Sequence, residues 1–262
     1  MNRIQKAFDE KKKVFIGFVT AGDPNLELTK ELVMAMVEGG AGLIEFGIPF
    51  SDPVAEGEVI QRADLRALAA GTTTDKIFDL VSEVRKETQV PLVFLTYANP
   101  IYAYGAEKFF TRCEASGVDG VIIPDIPYEE REEMRPYSEP HHVALVPLIA
   151  PTSKDRIQKI AKDAQGYVYV VSSLGVTGVR SNITTDIDGI VTEVRKATEL
   201  PVAVGFGIAT PEQAYKMAKA SDGAIVGSAI EKIVEKYGNE SPKYVCEYVK
   251  SMAGAVAMAA MA

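Results

Sequence analysis

Cysteine and histidine are scarce in this 262-residue chain: Cys113 and Cys246 lie far apart, and the only histidines are the adjacent His141 and His142. Two distant thiols build neither a disulfide framework nor a zinc site, and a serine or cysteine nucleophile needing a histidine would have only that pair. The pair precedes an apolar strand and reads as a turn or strand start, so metal catalysis is not expected. Two glycine signatures are missing as well. No Gly-x-Gly-x-x-Gly follows the first apolar run, which weakens a Rossmann reading, and no Gly-x-x-x-x-Gly-Lys-Ser/Thr occurs, which disfavours nucleoside triphosphate chemistry. Basic stretches are few. The formal charge is -8 with both signs interspersed, and Lys11-Lys12-Lys13, the densest cationic run, reads as a solvated helix end, so no nucleic-acid face is expected. Met1 to Glu10 lacks the apolar core of a signal peptide, and the Ala- and Met-rich tail from Ser251 to Ala262 is far short of the ~20 residues that cross a bilayer. The expected compartment is the cytoplasm, with no membrane partner.

What is present is an apolar fraction of 47% with 24% charged residues, the composition of a globular protein able to bury a large core. The length suits a single α/β barrel domain of roughly 250 residues, here 1–262. Eight short apolar runs alternate with stretches of helical period: Val14–Thr20, Gly42–Ile48, Leu92–Tyr97, Gly120–Pro124, Val143–Ile149, Tyr167–Val171, Val202–Gly205 and Gly223–Gly227. That alternation predicts parallel βα units and a closed (β/α)₈ TIM barrel with extra helices, although an open doubly wound sheet could share it. Asp23-Pro24 is expected to cap the helix that Gly39-Gly40 ends, and Thr210-Pro211-Glu212-Gln213 predicts a capping box. Gln61 to Ala70 and the face Ile77, Leu80, Val81 and Val84 predict two helices between the second and third strands.

The chemistry is expected where a barrel's strands end and its βα loops begin. In the second strand, Ile44, Phe46 and Ile48 share one face while Leu43, Glu45 and Gly47 share the other. In a sheet covered on both sides, Glu45 must then occupy an enclosed interior, where an unpaired carboxylate costs several kcal/mol. Desolvation pushes such an acid toward holding its proton near neutral pH, as a general acid or base requires. A structural Glu paired with Arg or Lys from a neighbouring strand is the competing reading. Glu56 follows in the polar turn beyond the strand, and Tyr169 lies at a similar height on the sixth, where it could simply pack. Glycine-bearing segments follow the last three strands: Gly175-Val176-Thr177-Gly178, Gly205-Phe206-Gly207-Ile208 and Val226-Gly227-Ser228-Ala229-Ile230. With Gly227-Ser228 opening a helix, they predict a phosphorylated ligand.

The core Glu45-Phe46-Gly47-Ile48-Pro49-Phe50-Ser51-Asp52-Pro53 closely resembles the signature of the tryptophan synthase alpha subunit family. Phe18 to Pro24, Tyr97-Ala98-Asn99-Pro100, Pro124-Asp125-Ile126-Pro127 and the three glycine segments occur in family order, so the resemblance spans essentially the whole barrel. It implies retro-aldol cleavage of indole-3-glycerol phosphate to indole and glyceraldehyde 3-phosphate without a cofactor in this chain. It implies Glu45 as proton donor, Glu56 facing the indole N–H, and Tyr169 beside them. Gly178, Gly207, Gly227 and Ser228 would hold the phosphate, while Phe18, Tyr97, Thr177, Phe206 and Tyr169 would line the indole and glycerol ends. The implied partner is a beta subunit carrying pyridoxal phosphate, in an alpha2beta2 heterotetramer. A partner-activating regulatory barrel and a free-standing indole-releasing lyase are the alternative readings. The chain departs from the family's familiar form at Glu56, where that form has Asp, and at Ser173, where some relatives have a basic residue. The segment from Gly175 to Thr185 has the composition of a lid.

Overall fold

The computed structural model describes residues 2–172, 178 and 185–261. Among them the strands are β1 (Val14–Thr20), β2 (Leu43–Gly47), β3 (Leu92–Leu95), β4 (Gly120–Ile122), β5 (Ala144–Leu145), β6 (Leu148–Ile149), β7 (Val168–Val171), β8 (Val202–Gly205) and β9 (Gly223–Val226). All pair in parallel, in the order β5-β4-β3-β2-β1-β9-β8-β7-β6. Each of the eight apolar runs thus becomes strand, and the fifth is divided in two around Pro147, which has no N–H to give to a ladder. Its first half pairs with β4, Gly120 opposite Ala144, and its second with β7, Leu148 opposite Tyr169. Val146 N–H bonds Val121 O at 3.0 Å, and Pro147 O accepts from Tyr169 N–H at 3.0 Å. One short run therefore joins both ends of the strand order, and the sheet closes into a TIM barrel.

Alternation along the strands separates two apolar layers. Ile16, Leu43, Val93, Ile122, Val146, Tyr167, Tyr169, Ala203 and Ile225 belong to the interior cluster. Phe15, Ile44, Phe46, Phe94, Val170, Val204 and Val226 belong to the larger cluster between sheet and helices. Phe46, on the outer face of β2, packs edge-on against Phe94. Glu45, between Ile44 and Phe46, therefore points into the barrel. The helix Arg3–Lys11 joins the interior layer through Ile4 and Phe8, with the Phe8 ring 6.0 Å from that of Tyr167. Its last turn carries Lys11, in keeping with the solvated end expected for the lysine run.

Two helices, Glu58–Ala69 and Thr74–Glu87, lie between β2 and β3 as the periodicity predicts, and the capping box at Thr210 and Gln213 forms. The expected cap at Asp23-Pro24 does not. The helix Leu26–Glu38 is capped by Asn25, whose side chain accepts from Leu28 N–H at 2.8 Å, three residues on, the reach a cap requires. Asp23 is fully buried and instead takes both arms of Arg66, at 2.8 and 2.7 Å, from another helix. Gly39 ends that helix as read. Among the described residues no helix is long and apolar enough to cross a membrane.

Candidate active site

Two acids at opposite ends of the barrel show what the fold does with carboxylates. Asp119, just before β4, is held by Arg3 at 3.0 Å and Arg85 at 2.9 Å and also accepts from Leu92 N–H, a structural arrangement at the N-terminal ends of the strands. Glu45, the central residue of β2, has no Arg or Lys within ion-pair distance among the described residues. It is 1% exposed, and Tyr167 donates to its Oε1 at 2.7 Å. Removal from water raises the Glu45 carboxyl to about 7, a rise that the Tyr167 hydroxyl opposes. The competing reading of a salt-bridged structural Glu has no support in this geometry. An acid that exchanges its proton near neutrality is what the barrel interior produces instead.

Glu56 lies in the turn between β2 and the helix Glu58–Ala69 and is 5% exposed. Burial lifts it to about 7, and a hydrogen bond from Tyr97 pulls the other way. Its Oε2 is buried without a hydrogen-bond partner among the described residues. A desolvated acceptor left open costs about 1–3 kcal/mol, more when charged, so it points to a donor that arrives with a ligand. The turn is pinned on its outer side, where Ala55 N–H donates to the Tyr97 hydroxyl at 3.2 Å and Gln61 donates to Glu56 O at 2.7 Å.

Glu45 and Glu56 face one cavity with about 500 Å³ of empty space. Phe18, Ile60, Leu95, Tyr169, Gly178, Phe206, Gly207, Ile208, Ile225, Gly227 and Ser228 complete its wall. Glycines make room for the rings: a Cβ on Gly205 would sit 2.2 Å from the Tyr169 hydroxyl, and one on Gly47 would sit 2.6 Å from Cζ of Phe18. Beyond β8 the backbone turns through two left-handed residues, Phe206 (φ +74°) and Gly207 (φ +80°). For Phe206 that conformation is uncommon. It is held by the Ser172 hydroxyl donating to its carbonyl and by edge-on packing against Tyr169 at 6.1 Å. The helix Ser228–Tyr237 begins at the cavity wall, and among the described residues no side chain caps its first N–H groups. Those N–H groups, the helix dipole and Gly207 opposite form a cradle for an anion.

Glu45, Glu56, Tyr169, Phe18, Gly178, Phe206, Gly207, Gly227 and Ser228 are thus brought to one cavity. Tyr97 is not on its wall. It is 2% exposed, packs against Phe50 and accepts from Ala55 N–H in the Glu56 turn. Thr177, Ser173 and nearly all of the segment read as a lid lie outside the described residues.

The model of the family described as tryptophan synthase alpha chain matches residues 4–261. The chain belongs to that family. It is 48% identical over 256 residues to the tryptophan synthase alpha chain of Lacticaseibacillus casei, covering 98% of this chain and 96% of that one. The crystal structure of the alpha chain from Legionella pneumophila superposes with a TM-score of 0.87 at 35% identity, covering 98% of this chain and 97% of the other. A structure described as the tryptophan synthase a2b2 complex of the hyperthermophile Pyrococcus furiosus gives 0.82 at 33% identity, covering 92% and 97%. The alpha family's reaction is the lyase step that cleaves indole-3-glycerol phosphate in tryptophan biosynthesis.

Against that chemistry, Tyr167, Ile60, Leu95, Ile225, Asp64, Arg66 and Glu231 were not singled out in the sequence, and Asp23 was read only as a helix cap. Tyr167 shares the interior face with Tyr169, so strand alternation alone contained the signal. Asp64 breaks the inward stripe Ile60, Ala63, Asp64, Ala67 of the helix Glu58–Ala69, a pattern readable as helical period with one carboxyl out of place. The pairing of Asp23 with Arg66, and the approach of both to Glu231, had no local signal.

Proposed function

We propose that Glu45 and Glu56 cleave indole-3-glycerol phosphate in the cavity above β2, and that the chain works as the alpha subunit of a cytoplasmic tryptophan synthase. Glu45, neutral in the barrel interior, gives its proton to the ring carbon that bears the glycerol chain. The positive charge that reaches the ring nitrogen is met by Glu56, whose open Oε2 accepts the ring N–H. The bond from ring carbon to side chain then breaks. Its electron pair restores the indole, and the glycerol hydroxyl next to that bond gives up its proton to become the aldehyde of glyceraldehyde 3-phosphate. Glu45, having donated, is placed to take that proton. The uncapped N–H groups at Ser228, with Gly178, Gly207 and Gly227, receive the phosphate. Phe18, Tyr169 and Phe206 bound the space around ring and glycerol, and Thr177 is proposed as a further contact.

The single observation that carries this reading is the Glu56 Oε2, buried and without a hydrogen-bond partner among the described residues, in the same cavity as a Glu45 raised to about 7. These roles use the chain's own side chains and backbone, and pyridoxal phosphate is assigned to the beta partner. The a2b2 assembly of the Pyrococcus furiosus relative supports a beta subunit as that partner. We take residues 1–262 as one barrel domain. Indole release by the full chain, alone and with a tryptophan synthase beta subunit, tests the proposal. Slow release that the partner accelerates supports the alpha-subunit reading, rapid partner-independent release favours a free-standing lyase, and stimulation of the partner without release leaves a regulatory barrel.

A further inference from the structure

Behind the Glu56 turn lies a buried group of carboxyls that the reaction above does not use. Asp64 is 4% exposed, one helical turn beyond the cavity-lining Ile60. The charged and titratable groups around it come from four other elements. Glu56 reaches it from the turn after β2, Tyr97 from the start of the helix Ala98–Tyr104, and Asp23 from the loop after β1. Glu231, of the helix Ser228–Tyr237, stands beyond Asp23. The cation in this group is Arg66, on Asp64's own helix, whose Nε and Nη2 are committed to Asp23 and whose Nη1 is taken by Glu235. Among the described residues neither Glu56 nor Asp64 has an ion-pair partner.

Neighbouring buried carboxyls without a cation cannot both ionise cheaply, so one keeps a proton. Their surroundings decide which. Glu56 accepts from the Tyr97 hydroxyl and faces the cavity, whereas Asp64 is buried in the helix's inward stripe within electrostatic reach of both Glu56 and Asp23. We propose that Asp64 is a positioning residue that holds the proton of a Glu56–Asp64 carboxyl pair, so that Glu56 is the ionised member facing the substrate ring. Burial, followed by the charges of Glu56 and Asp23, drives Asp64 up to about 8, above Glu56 at about 7. When Asp64 loses its proton, two unscreened anions meet across the turn and Glu56 is pushed from its place.

This inference rests on the proposed lyase reading. Its test is the pH profile of kcat/KM for indole release by the alpha–beta complex, for wild type and Asp64→Asn, an isosteric and permanently neutral side chain. From pH 7 to pH 9 kcat/KM falls about fiftyfold in Asp64→Asn, where the proton donor Glu45 alone ionises, and about tenfold further in wild type, where Asp64 ionises as well. The acid limb, set by Glu56, persists in both. Superimposable alkaline limbs in the two proteins overturn the proposal while leaving the lyase reading intact. No release by wild type at any pH overturns the lyase reading itself, and with it the role given to Glu56. Denaturant unfolding decides Asp64's own part whatever the activity. The ratio of wild-type to Asp64→Asn unfolding constants should grow roughly a thousandfold from pH 5 to pH 8.5, because an acid raised on folding loses its stabilisation as pH climbs to the folded value. A ratio that does not change with pH overturns the assignment of the proton to Asp64.

Discussion

Replacing Glu45 by Gln should make the protein more stable and nearly inactive at the same time, and each effect has its own size. In the unfolded chain the Glu45 carboxyl titrates near 4.5, and in the barrel burial lifts it to about 7. Its folded-state value is raised, so its contribution is intact below about 4.5, declines as pH rises and is fully lost once pH passes about 7. The rise corresponds to about 3 kcal/mol. Gln keeps an oxygen that can accept from the Tyr167 hydroxyl and never ionises. Glu45→Gln should therefore gain up to about 3 kcal/mol over wild type in denaturant unfolding at pH 8, and much less at pH 5. In the same variant indole release should fall by about 10²–10⁴-fold, the range for a missing general acid. A stability advantage that is equal at both pH values would refute the buried-acid argument. Retention of more than about a tenth of wild-type release would refute the proton-donor role.

Three further changes probe the support around the two acids. Tyr97→Phe removes both the donor to Glu56 and the acceptor for Ala55 N–H. Because that donor lowers Glu56, its loss should move the acid limb of the kcat/KM profile to higher pH and cut release at pH 7 about tenfold, and an unmoved limb would show that Tyr97 does not govern Glu56. Gly205→Ala puts a methyl 2.2 Å from the Tyr169 hydroxyl, so the ring must swing. Release should fall with circular dichroism unchanged, and normal kinetics would mean that the Tyr169 ring position is unimportant. Arg66→Ala leaves the fully buried Asp23 without its bidentate partner. The loss should be about 2–4 kcal/mol by denaturant unfolding, somewhat under the range for wholly buried pairs because Arg66 is partly exposed, and a loss under 1 kcal/mol would show that the pair contributes little to holding the loop after β1.

Most of the barrel was legible because its signals are local. Period-two alternation separates Glu45 from Ile44 and Phe46, and each strand run is bounded by residues that end it. The fifth run escaped an exact reading, since a proline inside an apolar stretch does not reveal that one half joins β4 and the other β7. Asp23 misled for a related reason: an acid before proline satisfies a capping pattern, but burial against Arg66, 43 residues away, outweighs a surface cap worth about 1 kcal/mol. At the site, the residues on strand ends and glycine turns that spacing singled out line one cavity. Those that act through a second residue were not, because Tyr167, Asp64 and Arg66 gain their roles only from what the fold places beside them. Tyr97 shows the converse, a motif residue whose ring turns out to support a turn from behind.

Two carboxyls doing opposite work in one cavity need different protonation states, yet burial alone brings Glu45 and Glu56 to about the same value. The difference must come from what each faces. Among the described residues Glu45 meets the Tyr167 hydroxyl and lies by the Tyr169 ring and apolar walls, and a ligand that excludes water from the cavity would deepen its desolvation and favour its neutral form. Glu56 has a buried oxygen that no donor meets among the described residues. A ring N–H, and still more the positive charge that follows ring protonation, favours its ionised form. On the proposed mechanism, substrate binding drives the pair apart in the direction the reaction requires. The same reasoning explains why a buried Arg or Lys beside either acid would be harmful: it would ionise Glu45 in the resting protein and weaken the attraction of Glu56 for the developing cation. The guanidinium of Arg66 avoids this by lying one residue layer behind the site, engaged with Asp23.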